Sequence, residues 1–298
     1  GILGKNNISE IIQMAKKLEG CVRHASVHAA GVVIAPGEIT EFAPLQLEPG
    51  GTNIITQYDM HACEDVGLVK MDFLGVRNLS ILGLARDLIK KTKGVQIDLE
   101  NLGYEDKATY ELLARGETMG VFQLSSSGMT KNLKELKPTH IFDIMAMVAL
   151  YRPGPINSIP EFIRRKHNPK LITYLDPRLQ DILKKSYGVL TFQDDVLLIA
   201  IKLAGYNWAE ADKFRKAMGK KIPAEMAKQK EKFISGCVKN NLSELKAEAL
   251  WQLIEPFAAY GFNLAHAASY AVIAYQTAYL KAHYPAEYMT AILTAESG

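Results

Sequence analysis

Short runs of apolar and β-branched residues, separated by turn-forming residues, occupy the first part of the chain. They predict three strands, at residues 31–35, 53–58 and 68–74, with turn-rich segments such as 48–52 between them. The three strands fit one small sheet. Because so few strands leave edges unpaired, we expect this sheet to be part of a larger domain.

Apolar residues at helical spacing precede these strands. They predict an amphipathic helix over residues 9–19, with Ser9 as its N-cap and Gly20 as its stop. The apolar face of this helix contains Ile11, Ile12, Ala15 and Leu18.

A longer helical pattern follows the third strand. It predicts a helix from its N-cap Asn78 to about Lys93, with three lysines in the last turn and Gly94 at the end. The predicted buried face contains Leu79, Leu82, Ala85, Leu88 and Ile89. From residue 107 onwards helical periodicity dominates. We therefore predict an α+β fold in which a small α/β part changes, between residues 78 and 100, to a large all-α part.

The composition is that of a globular protein. The chain of 298 residues is 48% hydrophobic and 22% charged, which allows a large core or two domains. Its three cysteines have no C-x-x-C spacing, so we expect neither a disulfide framework nor a zinc knuckle, and we expect a reducing cytoplasm. We see no charged-then-apolar leader, and the apolar stretch 267–280 is too short to span a bilayer, so we expect no membrane association.

Positive charge is concentrated in one stretch, although the net charge is only +3. Residues 202–232 contain nine Lys and Arg against four Asp and Glu, and Tyr206 and Trp208 lie among them. The lysines that share one helix face are Lys213, Lys216 and Lys220. Clustered cations beside aromatic residues are typical of nucleic-acid binding, although a solvated helix face has the same pattern.

Asp72 is the strongest candidate for chemistry. It stands in the apolar run 67–75, where a carboxylate is costly to bury without a metal or cation as its partner. Lys70 shares its strand face and Arg77 follows five residues later, a group of charges that suits a metal-bound phosphate at a helix N-terminus. The predicted apolar cover is Leu68, Met71, Phe73 and Leu74. An aspartate that only caps the next helix would give the same pattern.

The other acids and histidines give weaker metal signals. Two-metal phosphoryl transfer needs two or three carboxylates, and the apolar strands contain no D-x-D pair. Asp194 and Asp195 are adjacent and point in different directions, so we interpret them as acids in the first turn of a helix. His24 and His28 have the spacing of a metal pair but lack a third ligand, which favours a structural or nucleic-acid-facing role.

Two further segments carry candidate binding residues. Arg152 lies in the loop 151–155, which two prolines make rigid, so its guanidinium suits a bidentate phosphate contact or a surface salt bridge. Asn263 is a ready N-cap of a helix that ends before Pro285. His266, in the first turn of that helix, is a donor for a phosphate or nucleotide, or simply a packing residue.

Several blocks of sequence stand in one order along the chain, among them Gly-Leu-Val-Lys-Met-Asp-Phe-Leu-Gly at 67–75 and Tyr-Arg-Pro-Gly-Pro at 151–155. The other blocks are at 28–35, 120–124, 187–193, 215–221, 260–263 and 281–287. In these blocks the chain closely resembles the C-family replicative DNA polymerases of bacteria, the alpha subunit of DNA polymerase III. It departs from that pattern at Phe192, where Tyr is more usual, and at Ser125, where Glu is frequent.

The resemblance implies a division into the end of the thumb or a connecting helix at 1–19, part of a nucleotidyltransferase-like palm at 20–77, and helical fingers at 78–298. It places Asp72 on the third catalytic, metal-binding aspartate. The residues that it places around the nucleotide and DNA are Lys70, Arg77, Arg152, Gln193, Lys216, Lys220, Lys221, Asn263 and His266.

The activity implied by the resemblance is that of a DNA-directed DNA polymerase, which extends a primer 3′ end by two-metal nucleotidyl transfer. The implied cofactor is Mg²⁺, and the implied substrates are primer–template DNA and deoxynucleoside triphosphates. Implied partners are the sliding clamp, other replisome subunits and the polymerase portion that carries the paired palm aspartates, which has no counterpart in this sequence. The phosphoesterase-like domain, most of the thumb and the clamp-binding and OB regions also have no counterpart, so we expect the chain to be inactive alone. The alternatives are a non-catalytic nucleic-acid-binding module of the same fold and a fragment with no independent biology.

Overall fold

The chain forms two compact units, Gly1–Val76 and Arg77–Gly298. The computed structural model describes residues 5–21, 26–220, 223–258 and 261–297. The first unit is a small α/β structure and the second is helical, which confirms the predicted α+β class. Within the described residues, no helix combines the length and the apolar character that crossing a membrane requires.

The described residues of the first unit form a 14-residue helix, a six-residue helix and four short strands. The helices are α1 (Lys5–Leu18) and α2 (Met60–Asp65). The strands are β1 (Gly31–Ile34), β2 (Leu45–Leu47), β3 (Ile54–Thr56) and β4 (Val69–Asp72).

The strands form two separate antiparallel pairs, so the prediction of a single sheet was wrong. β1 pairs with β4, with Gly31 opposite Asp72, and β3 pairs with β2, which the sequence pattern did not predict. The reason is local. The turn at 48–53, closed by the Glu48 N–H donating to the Asn53 carbonyl at 2.9 Å, brings β3 back onto the strand that immediately precedes it.

Helix α1 begins earlier than predicted. It starts at Lys5, so Ser9 lies inside the helix and is not its N-cap, while Gly20 with φ of +85° follows its end as expected. Ile11, Ile12 and Leu18 are exposed, so its apolar face has no cover within the described part of the unit.

The core of the first unit is small. Its buried members are Ala43, Cys63 and Leu68, with partly buried residues of β1 and its following turn packed on them. The opposite face of the β1–β4 pair is apolar and exposed. It consists of Val32, Ile34, Val69 and Met71.

The second unit consists of helices. They are α3 (Arg77–Lys93), α4 (Lys107–Arg115), α5 (Ser127–Leu136), α6 (Ile141–Leu150), α7 (Ile159–His167), α8 (Gln180–Leu183), α9 (Gln193–Ala204), α10 (Trp208–Lys220), α11 (Pro223–Lys239), α12 (Glu244–Ala258), α13 (Leu264–His283) and α14 (Pro285–Glu296). Short 3₁₀ turns, such as Pro155–Ser158, connect several of them.

Three hydrophobic clusters hold the second unit together. Helices α4, α5, α6 and α13 bury the first around Leu113, Ile144 and Tyr275. Helices α9 to α12 bury the second, in which the Phe214 and Phe233 rings stack with centroids 5.6 Å apart. The third joins α3 to α13 and α14.

The prediction for α3 was largely confirmed. The helix begins one residue before the predicted N-cap Asn78 and ends before Gly94, whose φ is +70°. Its buried residues are Ile81, Leu82, Ala85 and Ile89. Leu79, which we expected on that face, is exposed, because the buried face of the helix is the one that carries Ile81.

Candidate functional site

Asp72 is the last residue of β4, and its carboxylate is bound by Lys70. The Lys70 Nζ donates to Asp72 Oδ1 at 2.5 Å, as expected for two side chains on the same face of a strand. The His28 Nδ1 lies 3.8 Å from the same oxygen. The hydrogen bond from Lys70, assisted by the charges of Lys70 and His28, holds the pKa of Asp72 below its ordinary value. The carboxylate is therefore ionised at neutral pH.

The expected apolar burial of Asp72 was wrong. Its side chain is 43% exposed, and within the predicted cover only Leu68 is buried, while Met71, Phe73 and Leu74 are exposed. Because β4 has one partner strand and the core beneath it is small, the described residues of this unit cannot enclose the carboxylate. No described backbone N–H donates to Asp72 either, so the structure gives no support for a helix-capping role.

His28 also belongs to this site, which its spacing in the sequence did not predict. Gly31, directly opposite Asp72 in the β1–β4 pair, makes room for it, because a Cβ at Gly31 would stand 3.1 Å from both His28 Nδ1 and Lys70 Cε. A cavity of about 520 Å³ adjoins the site and is lined by both strand pairs, with His28 and Lys70 on its wall. His24, four positions before His28, lies outside the described residues.

The residues of the site do not form a magnesium centre by themselves. Among the described positions, no three His, Cys, Asp or Glu side chains come together in a way that could hold a metal ion. Asp72 offers an ionised carboxylate, which is the type of ligand that Mg²⁺ prefers. It can therefore supply one ligand of a metal site, and the remaining ligands would have to come from elsewhere.

Arg77 belongs to the second unit, where it is the first residue of α3. Its predicted place beside Asp72 and a bound phosphate stays a prediction.

A second group of predicted residues meets at the start of α13. The Arg152 guanidinium lies over the Phe262 ring, with Cζ 3.6 Å from the ring centroid, and the His266 ring meets the same Phe262 edge-on at 5.0 Å. Asn263 caps α13 as predicted, because its Oδ1 accepts the His266 N–H at 2.9 Å. The structure thus brings together Arg152, Asn263 and His266. Asn263 and His266 follow Arg152 by 111 or more positions in the sequence.

This second group is positive and open to solvent. Arg152 and His266 are exposed, and no carboxylate of the described residues pairs with Arg152. Burial lowers the pKa of Arg152 somewhat, and the nearby Tyr270 acts in the opposite direction. The Leu264 and His266 N–H groups at the start of α13 are already bonded to Asp194 and Asn263, so the group that can receive a phosphate here is the unpaired Arg152 guanidinium.

Gln193 lies next to this group, but it makes structural contacts. Its backbone N–H donates to the Phe262 carbonyl at 2.9 Å, and its side-chain Nε2 donates to the Gly261 carbonyl at 2.6 Å. Asp194 and Asp195 occupy the first turn of α9, as predicted. The contact of Phe262 with Arg152 was not predicted, and the sequence signal for Phe262 was its place in the 260–263 block.

Helix α10 has the predicted basic surface, but one of the two predicted aromatic neighbours is buried. Lys213 and Lys216 are exposed, and Lys216 Nζ pairs with Asp212 Oδ2 at 2.7 Å. Trp208 is exposed, but Tyr206 is only 4% exposed and packs inside the second hydrophobic cluster, so it cannot stack on a base. The side chain of Lys220 and the whole of Lys221 lie outside the described residues.

Two family models match the chain. Residues 2–75 match the "Bacterial DNA polymerase III alpha NTPase domain", and residues 78–241 match the "Bacterial DNA polymerase III alpha subunit finger domain". The chain belongs to the family of bacterial DNA polymerase III alpha subunits. The resemblance predicted from the sequence blocks is thereby confirmed.

Curated relatives support the same family over nearly the whole chain. The DNA polymerase III subunit alpha of Thermus aquaticus is 48% identical over 294 residues, which are 97% of this chain and 24% of that protein. Those of Aquifex aeolicus (strain VF5) and Mycobacterium tuberculosis (strain H37Rv) are 47% and 45% identical, each over 97% of the chain and 25% of the relative. The chain thus spans about a quarter of the length of the curated relatives it matches.

The family matches divide the site residues of this polymerase-family chain between two regions. Asp72 and Lys70 fall within the NTPase-domain match, and Arg152, Gln193 and Lys216 fall within the finger-domain match. Asn263 and His266 lie beyond both matches, although His266 contacts the same Phe262 ring that Arg152 covers. Their predicted roles towards nucleotide and DNA stay predictions.

Proposed function

We propose that this chain is part of a DNA-directed DNA polymerase that adds deoxynucleotides to a primer 3′ end, and that it is inactive alone. The observation that carries the proposal is the exposed carboxylate of Asp72, kept ionised by Lys70 at the end of a two-stranded sheet. Its described side-chain partners are Lys70 and His28, which leave the carboxylate open to solvent. It is suited to binding a metal ion with help from further carboxylates.

In this proposal Asp72 is one ligand of a Mg²⁺ site whose other ligands belong to parts of the polymerase outside this chain. Bound Mg²⁺ would supply charge neutralisation at the α-phosphate and the pyrophosphate, as in two-metal nucleotidyl transfer. Lys70 would hold the Asp72 carboxylate in place and ionised, and its ammonium adds positive charge beside the phosphates.

The second unit would act as the fingers. The unpaired Arg152 guanidinium, His266 and the start of α13 are the proposed contacts of the nucleotide triphosphate. Lys213 and Lys216 on α10 are proposed contacts of the DNA backbone, together with Lys220 and Lys221. By family resemblance, we propose that the chain acts in the cytoplasm. Its proposed partners are the sliding clamp and other replisome subunits.

Primer extension tests this proposal. We expect this chain alone to bind primer–template DNA but not to extend it with Mg²⁺ and four deoxynucleotides, because it supplies one carboxylate. In a Thermus aquaticus alpha subunit that carries this sequence in place of its matched segment, we expect extension to occur. Asp72→Asn should lower that extension about a thousandfold or more, since a metal ligand contributes several kcal/mol to the transition state.

Asp65→Asn is the matched control, because Asp65 is another exposed carboxylate of the same unit, at the end of α2. It should leave the extension rate unchanged. Undiminished extension by Asp72→Asn would remove Asp72 from catalysis. It would then favour the second candidate function, a non-catalytic nucleic-acid-binding module, which the exposed cations of α10 also support.

A further inference from the structure

The first turn of α9 is joined to the segment 261–264 by a set of specific bonds. The Gln193 backbone N–H and side-chain Nε2 donate to the carbonyls of Phe262 and Gly261, at 2.9 and 2.6 Å. From the other direction, the Leu264 N–H donates to Asp194 Oδ2 at 2.8 Å. Phe192 and Phe262 complete the junction with a parallel β-bridge. These bonds fix the backbone that carries the Phe262 ring.

The Phe262 ring in turn determines where the Arg152 guanidinium lies. The ring is buried, and the guanidinium covers it at 3.6 Å. Because no carboxylate of the described residues pairs with Arg152, this stacking is the principal contact that orients its donors. The guanidinium plane therefore follows the position of Phe262, and the position of Phe262 follows the α9 contacts.

We infer that Gln193 and Asp194 are positioning residues, which act through Phe262 to orient Arg152 for the triphosphate of the incoming nucleotide. This rests on the proposed function of Arg152. It gives Gln193 a different task from the direct nucleotide contact that the sequence resemblance implies, since its amide is committed to the Gly261 carbonyl. It also explains why an acid, Asp194, stands beside the proposed phosphate site. Its carboxylate accepts a backbone N–H at the start of α13.

The chemistry of Asp194 allows a graded test. Asp194→Ala removes the acceptor of the Leu264 N–H, whereas Asp194→Asn keeps an acceptor oxygen of the same reach. Asp181→Ala is the matched control, because Asp181 is an exposed carboxylate that also binds α9, through Lys202 at 2.6 Å, far along the helix from Gln193.

Two measurements on the 298-residue chain decide the inference. The first is the dissociation constant of dATP with Mg²⁺, measured by calorimetry. Asp194→Ala should raise it about tenfold, because a misoriented Arg152 guanidinium loses about the equivalent of one charged hydrogen bond to the triphosphate. Asp194→Asn and Asp181→Ala should stay within about threefold of the unaltered chain, and Asp194→Ala should have no further effect in an Arg152→Ala background.

The second measurement needs no nucleotide. In a spectrum of selectively labelled arginine, stacking on Phe262 shifts the Arg152 side-chain resonances upfield by the ring current. That shift should be lost in Asp194→Ala and kept in Asp194→Asn, which a general loss of stability would not produce.

The outcomes separate this inference from the proposed function. If Arg152→Ala weakens dATP binding but Asp194→Ala changes neither the binding nor the Arg152 resonances, the positioning role is wrong and the nucleotide site stands. If Arg152→Ala has no effect on dATP binding, or the unaltered chain does not bind dATP, the proposed nucleotide site is wrong and the inference is overturned with it.

Discussion

Asp143 on α6 is completely buried, and its carboxylate is bound from several sides. The Lys166 Nζ of α7 pairs with Oδ2, the Tyr187 hydroxyl donates to Oδ1 at 2.9 Å, and the Thr139 N–H donates to Oδ2 at 2.8 Å. Lys166 itself is only 7% exposed. A charge pair of this kind costs much to desolvate, and each partner depends on the other.

Asp143→Ala should therefore destabilise the helical unit by about 3–5 kcal/mol, because it leaves the buried Lys166 ammonium without a carboxylate to balance its charge. Urea unfolding followed by circular dichroism measures this change. Adding Lys166→Met to Asp143→Ala should restore part of the loss, since the uncompensated charge is then removed.

Glu111→Ala is the control for that measurement. Glu111 pairs with Lys107 at 3.5 Å on the exposed surface of α4, where an ion pair contributes little. Equal destabilisation by the Glu111 and Asp143 variants would show that the buried pair has no special weight.

For Lys70 and Asp72, the sequence predicted the local geometry of the side chains but not their burial. Lys70 and Asp72 share a face because side chains two positions apart in a strand always do so, and the structure joins them by a hydrogen bond. Their burial, in contrast, depends on what packs against the strand. The apolar run around Asp72 suggested enclosure, but Phe73 and Leu74 are exposed in the unit as described.

At the scale of elements, the start of α9 combines two acids with opposite surroundings. Asp194 is partly buried and binds α13, whereas Asp195 is buried and accepts the backbone N–H groups of Thr191 and Phe192 at 3.0 and 2.8 Å. Burial raises the pKa of Asp195 to about 7, aided by the charge of Asp194 and opposed by the two N–H groups.

The contribution of Asp195 to the stability of the helical unit should therefore fall as the pH rises from about 4 to 7. In that window the folded state keeps the Asp195 proton that the unfolded state has already lost, so rising pH favours unfolding, by about 4 kcal/mol at most. Above pH 7 both states are ionised and the loss becomes constant.

Asp195→Asn isolates this contribution, because the amide oxygen still accepts both N–H groups but does not titrate. The difference in unfolding free energy between the variant and the unaltered chain should grow across that pH window. A difference that stays constant with pH would show that Asp195 ionises normally in the folded chain.

Helix ends were predictable where one local rule acts alone. Asn263 caps α13 as expected, since the contact spans three residues. The predicted caps Ser9 and Asn78 were wrong, because helices α1 and α3 extend beyond them. A polar residue near a helix start favours a cap but does not prevent the helix from beginning earlier.

At the scale of the whole molecule, the charge distribution is the feature with the broadest consequence. Lys213 on α10 is exposed and has no ion-pair partner among the described residues, whereas Lys216 is bound to Asp212. Both belong to the stretch in which basic residues outnumber acidic ones. Phosphate binding by such cations releases counterions and depends on salt.

Lys213→Ala should reduce the slope of the logarithm of primer–template affinity against that of salt by about one unit, as expected for one lost phosphate contact. Lys216→Ala should reduce it less, because Lys216 must give up its pair with Asp212 to bind DNA. Fluorescence anisotropy across a potassium chloride series measures both slopes. Unchanged slopes in both variants would remove α10 from the DNA contact.

The sequence by itself determined the family, the fold class and the local geometry of several sites. Its blocks identified the polymerase family, its periodicities separated an α/β part from a helical part, and its local spacing joined Lys70 to Asp72. These features depend on residues that are close along the chain, so elementary geometry predicts them.

Only the tertiary structure decided which distant segments meet. It paired β1 with β4, joined Gln193 and Asp194 to the segment 261–264, and placed Arg152 on Phe262. It also left Asp72 exposed, where the apolar run suggested burial. Such contacts arise from the packing of whole surfaces across long stretches of chain, and a single sequence carries no local signal for them, because hydrophobic attraction is not directional.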